Sequence, residues 1–212
     1  MSTGLEQNEA KVPARVLMPP YLVLSDFLDE TTVAGLLEYA LGRQGDFAPT
    51  QLASGKLDPS IRVSAAMRDL GKYRQILQDA ILALVPRLIA QLQVTPFEPS
   101  KLETQLVAHG DGAFYKRHTD TQTARYDELD NLRVLSGVYY FNAEPKAFDG
   151  GALRLYAIGG KAGENFVDVE PAHNSFLVFP SWAPHEVMPV NCPSKRFIDS
   201  RFAVNCWLHR KR

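Results

Sequence analysis

The chemistry in this chain concentrates in three side chains. His118 and Asp120 lie one residue apart in Tyr115-Lys116-Arg117-His118-Thr119-Asp120, and His185 follows far downstream in Pro184-His185-Glu186-Val187. Two imidazoles and one carboxylate hold one face of a ferrous ion and leave the opposite face open for a cosubstrate and dioxygen. Structural zinc takes four protein ligands and closes its site. In an extended segment residues i and i+2 point the same way, so the single spacer Thr119 lets His118 and Asp120 share an ion. His185 then has to arrive from a neighbouring strand. Each motif alone is weak: a His-x-Asp pair is more often a solvated loop pair, and a lone histidine a hydrogen-bonded surface residue.

An open iron site that works with a keto-acid cosubstrate also needs a fixed cation for the acid's far carboxylate. Arginine suits this role because its fork pairs a carboxylate through two hydrogen bonds. Arg201 opens the last strand-like run, in which Arg201, Ala203, Asn205 and Trp207 fall on one face. Its plain alternative is a strand-edge salt bridge. Arg196 competes for the role from a Pro/Ser/Lys loop. The other histidines read as loop or surface residues: His109 before Gly110-Asp111-Gly112, His173 in a turn, and His209 in the basic tail. Arg133 and Arg154 read first as barrel-surface ion pairs, with steering of a peptide or acidic substrate as the alternative for either, and Phe179 and Trp182 as core or rim packing.

The elements that must position these groups fit one domain. The chain has 212 residues, 45% hydrophobic content and a net charge of −1, which gives it core enough without bulk attraction for DNA or an acidic membrane. It lacks a basic stripe with interleaved aromatics, which argues against a nucleic-acid partner. Cys192 and Cys206 read as reduced thiols. The polar N-terminus has no signal-peptide pattern and no apolar run is long enough for a membrane span, so the expected location is cytoplasmic. Nothing in the residues specifies an oligomeric state.

Residues 1–15 read as a flexible arm and residues 16–212 as one domain, helical support over 16–100 and β core over 101–208. A strand is expected over Val16–Phe27. A helix follows, capped by Asp29 and carrying Val33, Leu36, Leu37 and Leu41 at helical spacing. A second helix runs from about Leu70 to Leu92, with a kink or break near Leu84 because of Pro86. Residues 46–66 read as loop and irregular strand. Seven short strands follow: Glu103–His109, Val134–Asn142, Ala152–Tyr156, Phe166–Val169, Ser175–Phe179, His185–Val190 and Arg201–Leu208. The fold class is therefore mainly β with flanking helices, a sandwich or barrel.

Five segments in order resemble the Fe(II)/2-oxoglutarate-dependent dioxygenases, and within them the prolyl-hydroxylase branch of the hypoxia-sensing enzymes and their bacterial relatives. They are Gly110–Asp120, Arg133–Asn142, Gly150–Tyr156, Phe179–Val190 and Arg201–Trp207. The resemblance implies a double-stranded β-helix (jelly-roll) core supported by N-terminal α-helices. It implies His118, Asp120 and His185 as iron ligands, and Arg201 and Tyr140 as partners of the distal carboxylate of 2-oxoglutarate. Arg201 comes 16 positions after His185, a longer gap than the family uses, so residues 191–199 read as an insertion. A further cosubstrate-binding tyrosine of the hypoxia sensors, ten positions before the first metal histidine, is Ala108 here.

The activity so implied is hydroxylation of an unactivated C–H bond with dioxygen, releasing succinate and CO2, with ascorbate as reductant. A prolyl residue of a protein or peptide is the leading substrate, with residues 125–133 as a candidate capture loop. The alternatives are a small-molecule substrate, such as a free amino acid or natural-product intermediate, and a non-catalytic metal-binding jelly-roll module.

Overall fold

Pro86 shapes the helical part of the chain. Its ring is tolerated only in a helix's first turn, and the expected single helix divides into α2 (Tyr73–Ala83) and α3 (Val85–Leu92), bent by 51° with Pro86 at the start of α3. The computed structural model describes residues 16–52, 54–121, 130–159 and 163–212; the expected N-terminal arm and most of the 125–133 capture loop lie outside them. Helix α1 (Glu30–Gly42) begins where the sequence places it. The Asp29 carboxylate accepts from the Thr32 amide at 2.9 Å and satisfies one of the free first-turn donors.

A large antiparallel sheet has the strand order β1 (Leu22–Leu24), β11 (Ser175–Pro180), β7 (Asn131–Phe141), β14 (Arg201–Lys211), β5 (Pro99–His109), β4 (Ala65–Met67) and β2 (Ala48–Pro49). Facing it is a sheet of β10 (Phe166–Val169), β9 (Leu153–Tyr156), β12 (His185–Val187), β6 (Phe114–His118) and β3 (Arg62–Val63). A short pair, β8 (Asp149–Gly150) with β13 (Val190–Asn191), closes one end. The expectation of a mainly β jelly-roll with flanking helices is borne out.

Alternation along the strands sorts side chains into two layers. Val138, Tyr140, Leu177, Phe179 and Ala203 point inward and meet Leu153, Leu155 and Val169 of the facing sheet. Their neighbours Leu135, Tyr139, Phe141, Phe176, Val178, Phe202 and Val204 point outward and are covered by Leu36, Leu77, Ile81 and Leu88 of the helices. No single described helix is long and apolar enough to cross a membrane; the bent pair α2–α3 passes that test jointly, with its apolar residues buried against the sheet.

Two strand expectations change. The run expected over Val16–Phe27 contributes only Leu22–Leu24 plus a bridge from Leu17 to Ile158, because Pro19 and Pro20 have no amide to donate to a ladder. Phe114–His118 forms a strand that charged Lys116 and Arg117 hid from an apolar pattern. The helical layer holds the large sheet's outer face, so Leu77→Ala, at a fully buried site, is expected to destabilise the protein by about 2–5 kcal/mol in urea unfolding. A loss under about 1 kcal/mol would mean the site collapses around the deletion and the layer contributes little.

Candidate active site

Strand pairing brings the two distant histidines together. His185 of β12 sits directly opposite His118 of β6, with ring centroids 4.2 Å apart. Each imidazole is oriented by a backbone carbonyl: His118 Nδ1–H donates to Lys116 O at 2.8 Å, and His185 Nδ1–H to Ala183 O at 2.9 Å. A carbonyl only accepts, so both Nδ1 atoms carry the proton and both Nε2 lone pairs are free. Asp120 lies just past the end of β6, its amide donating to Ser181 O at 3.0 Å. Its carboxylate oxygens stand 3.8 Å from His118 Nε2 and 3.7 Å from His185 Nε2.

One ligand atom from each of the three residues lies within 4.8 Å of the others. Ser136 Oγ donates to Asp120 Oδ2 at 2.6 Å and contacts Ser181 Oγ at 2.9 Å, fixing the carboxylate from behind. Such outer partners orient metal ligands. Burial, then the charge of His185, pushes His118 down to about 3, so its lone pair stays open at neutral pH. Burial opposes the charged form of Asp120, but His185, His118 and the Ser136 hydroxyl together hold its pKa below the ordinary value. Tyr115 stacks on His118 at 3.6 Å, and Phe179 meets His185 edge-on at 4.8 Å.

Arg201 and Tyr140 stand in the same barrel. Arg201 is 1% exposed, with its guanidinium 4.7 Å from the centre of the Tyr140 ring. Among the described residues it has no carboxylate partner; its Nε and Nη2, like the Tyr140 hydroxyl, are buried without a hydrogen bond. Gly151 makes room for it: a Cβ there would lie 2.7 Å from Arg201 Cδ, and its φ of +71° suits glycine. Arg196 is committed elsewhere, to Asp199 at 2.7 and 3.0 Å. In the 191–199 segment Cys192 is buried against Phe148 and Val190; its thiol donates to Asp199 O at 3.4 Å and its amide to Asp111 Oδ1 at 3.0 Å. Both cysteines are free and buried.

His109 corrects the sequence reading. It is no surface residue: it is 3% exposed at the end of β5, opposite Arg201 in register, and its Nδ1 lies 3.1 Å from Arg201 Nη1. Arginine only donates, so His109 accepts as a neutral imidazole. Burial, with Arg201 next, holds its pKa well below the usual value. Ala108 packs with the helices on the sheet's other face, so the side chain that reaches the anion end from this turn belongs to its neighbour. No apolar pattern marks His109; only the Arg201–His109 register reveals it.

His209 is also buried, within β14, its Nε2 3.4 Å from Glu103 Oε2. His173 does sit in a turn, accepting from the Asn142 amide at 3.3 Å. Arg154 pairs with Asp168 through two bonds of 2.7 and 2.8 Å, as an ordinary surface pair. Arg133, read the same way, instead lines the cleft: it lies 4.2 Å over the Trp207 ring, 3.2 Å from Glu103 and 4.0 Å from Asp120. Phe179 is buried in the site wall and Trp182 is 40% exposed. The cleft lined by Arg133 and Phe179 together with His118, Asp120, His185, His109 and Arg201 measures about 1170 Å³.

The donor set fits Fe(II): two neutral imidazoles and a carboxylate with no fourth protein ligand among the described residues. The orphaned donors of Arg201 and Tyr140 fit a carboxylate. A family model for the 2OG-Fe(II) oxygenase superfamily matches residues 104–209. An uncharacterized PKHD-type hydroxylase of Synechocystis is 41% identical over 141 residues, which span 64% of this chain and 45% of that relative. A Pseudomonas putida prolyl-4-hydroxylase structure aligns with TM-score 0.66 and 25% identity over 92% of this chain and 94% of that one. A Trichoplax adhaerens prolyl hydroxylase in complex with a hypoxia-inducible-factor peptide shares the fold, at TM-score 0.69 and 22% identity over 91% of this chain and 84% of that one.

Two outcomes are expected from this geometry. Ser136→Ala should weaken Co(II) binding in calorimetry by about 10–100-fold, as loss of an outer hydrogen bond does; unchanged affinity would mean that Ser136 does not orient the carboxylate. Glu103 is pulled down to about 2 by His209 and then Arg133, against burial. Its stabilising contribution is therefore complete above about pH 4.5 and is lost as pH falls toward 2. The stability gap between the native chain and Glu103→Gln, followed by thermal melts, should close over that window; a constant gap would contradict the assignment.

Proposed function

Because the chain belongs to the 2OG-Fe(II) oxygenase superfamily, we propose that it is a Fe(II)- and 2-oxoglutarate-dependent hydroxylase acting on a prolyl residue of a protein or peptide, with release of succinate and CO2. Residues 16–212 form its single domain in this reading, and ascorbate serves as reductant. The observation that carries it is the pairing, in one cleft, of a three-ligand cluster with a buried guanidinium that meets no carboxylate among the described residues. The chain spans under half of the curated relative's length. The peptide substrate rests on likeness to the Pseudomonas and Trichoplax prolyl hydroxylases.

Each residue has a defined task. His118, Asp120 and His185 hold the metal by one face. Arg201 Nε and Nη2 and the Tyr140 hydroxyl grip the distal carboxylate of 2-oxoglutarate, replacing a costly buried charge with a charge-assisted pair. His109 accepts from Nη1 and fixes the rotation of the guanidinium, so the two nitrogens left without a partner, Nε and Nη2, serve the cosubstrate. Phe179 and Tyr115 flank the two imidazoles and keep them dry. When bound, Fe(II) and 2-oxoglutarate supply the oxidising power for C–H hydroxylation.

The test is succinate formation from 2-oxoglutarate with Fe(II), ascorbate, oxygen and proline-containing peptides. Iron-dependent succinate is expected from the native chain and none above background from His118→Ala. Arg201→Ala should raise the KM for 2-oxoglutarate by about 100-fold, the scale of losing one partner of a buried charged pair. No turnover with peptides or with cell extract as a substrate source would favour a non-catalytic metal-binding module.

A further inference from the structure

The cleft is cationic in a chain whose net charge is −1. Its lining holds six arginines and lysines against two carboxylates, Glu103 and Asp120. Arg201 faces the cosubstrate end. Asp120 belongs to the metal cluster, and Glu103 is engaged by Arg133 and His209. That leaves Arg62 on β3, Arg68 after β4, Arg74 on α2 and Lys101 on β5, and none of the four forms an ion pair with a carboxylate among the described residues.

Two of these cations are fixed in place by neutral groups. Arg74 Nη1 donates to Thr104 Oγ1 at 2.9 Å, and its Nη2 donates to the Arg68 carbonyl. Arg62 Nε donates to Ser64 Oγ at 3.1 Å, and its guanidinium lies 4.6 Å over Tyr115, the ring that stacks on His118. Holding a long cationic side chain still costs rotamer entropy, about 1.5–2 kcal/mol for arginine. A carboxylate acceptor would offset that cost and cancel the charge. Hydroxyl and carbonyl acceptors hold the side chain and leave its full charge facing the cleft. Arg62 adds a desolvation cost, since its burial opposes the charged form.

We propose that this wall recognises carboxylates flanking the target residue, so that the prime substrate is an acidic peptide segment whose proline reaches the metal beside Arg62. The assignment rests on the prolyl-hydroxylase reading above and adds the chemistry of the residues around the proline. Opposed charge steers the encounter and selects among partners, and the selection weakens as salt rises.

The experiment uses fluorescence anisotropy with the Zn(II)-loaded full chain and saturating 2-oxoglutarate. The probes are short labelled peptides with a central proline flanked by aspartate, asparagine or lysine, and a labelled oligothymidine of matching charge. The aspartate peptide should bind about 10-fold tighter than its asparagine counterpart at low salt, with the advantage shrinking as salt rises. Arg68→Glu with Lys101→Glu, both at exposed positions, should shift preference to the lysine peptide. Arg74→Gln should weaken only the aspartate peptide. Arg87→Glu on the far helix α3, whose guanidinium contacts Gln91, should change none of the affinities. Equal binding of aspartate and asparagine peptides, no response to the reversal pair, or oligothymidine binding as tight as the aspartate peptide would each overturn the proposal. Calorimetric titration of 2-oxoglutarate into the same preparation separates the two levels. Cosubstrate binding without peptide discrimination rejects the acidic-substrate inference alone, and absence of cosubstrate binding rejects the parent reading.

Discussion

A guanidinium that is 1% exposed, with no carboxylate against it among the described residues, is an unfavourable thing to build into a protein core. Desolvating it costs several kcal/mol, on the order of the net stability of a small domain. The surrounding structure is organised to bear that cost. Register places His109 opposite Arg201 to accept one N–H, the Tyr140 ring lies under the charge, and Gly151 gives up its side chain so the arginine stem can pass. What remains unsatisfied, Arg201 Nε and Nη2 and the Tyr140 hydroxyl, suits a carboxylate, and in the proposed function that ligand turns the buried charge into an anchor.

The same sandwich sets the metal end. Long pairings of β14 with β5 and β7 hold Arg201, His109 and Tyr140 on one inner surface. The facing sheet supplies His118 and His185 through the β6–β12 pairing. Asp120 comes from the chain leaving β6 and is held from the large sheet by Ser136. The three ligands thus stand on the smaller sheet and Arg201 on the large one, with Leu153, Leu155, Phe179 and Ala203 packed between the layers. The helical layer keeps the outer face of the large sheet dry and leaves the inner face to chemistry.

Much of this was legible in the sequence because it is local. Periodicity marked the helices, Pro86 marked the break at Leu84, and alternation placed Arg201, Asn205 and Trp207 on the face that lines the cleft. Spacing alone put His118 and Asp120 side by side. The resemblance to the 2-oxoglutarate oxygenases is borne out by the family match. What stayed hidden depends on register and burial across strands. His109 looked like a turn residue because glycines follow it, and His209 like a tail residue because cations follow it; pairing with β14 and β5 partners buries both. Arg133 looked like a surface charge until Trp207 and Glu103 were brought beside it. Counting ten positions back from His118 fell on Ala108, one residue past the side chain that faces inward.

The proposal pairs, in one cleft, a three-ligand iron site with the Arg201 guanidinium as anchor for the far end of the same cosubstrate. Anaerobic addition of 2-oxoglutarate to the Fe(II)-loaded protein tests it directly, through the visible charge-transfer absorption that appears when a keto acid chelates ferrous iron. The account predicts a band that saturates at one cosubstrate per iron in the native chain. In Arg201→Ala the band should return only at much higher 2-oxoglutarate. No band in the iron-loaded protein, or a saturation curve untouched by loss of Arg201, would contradict it.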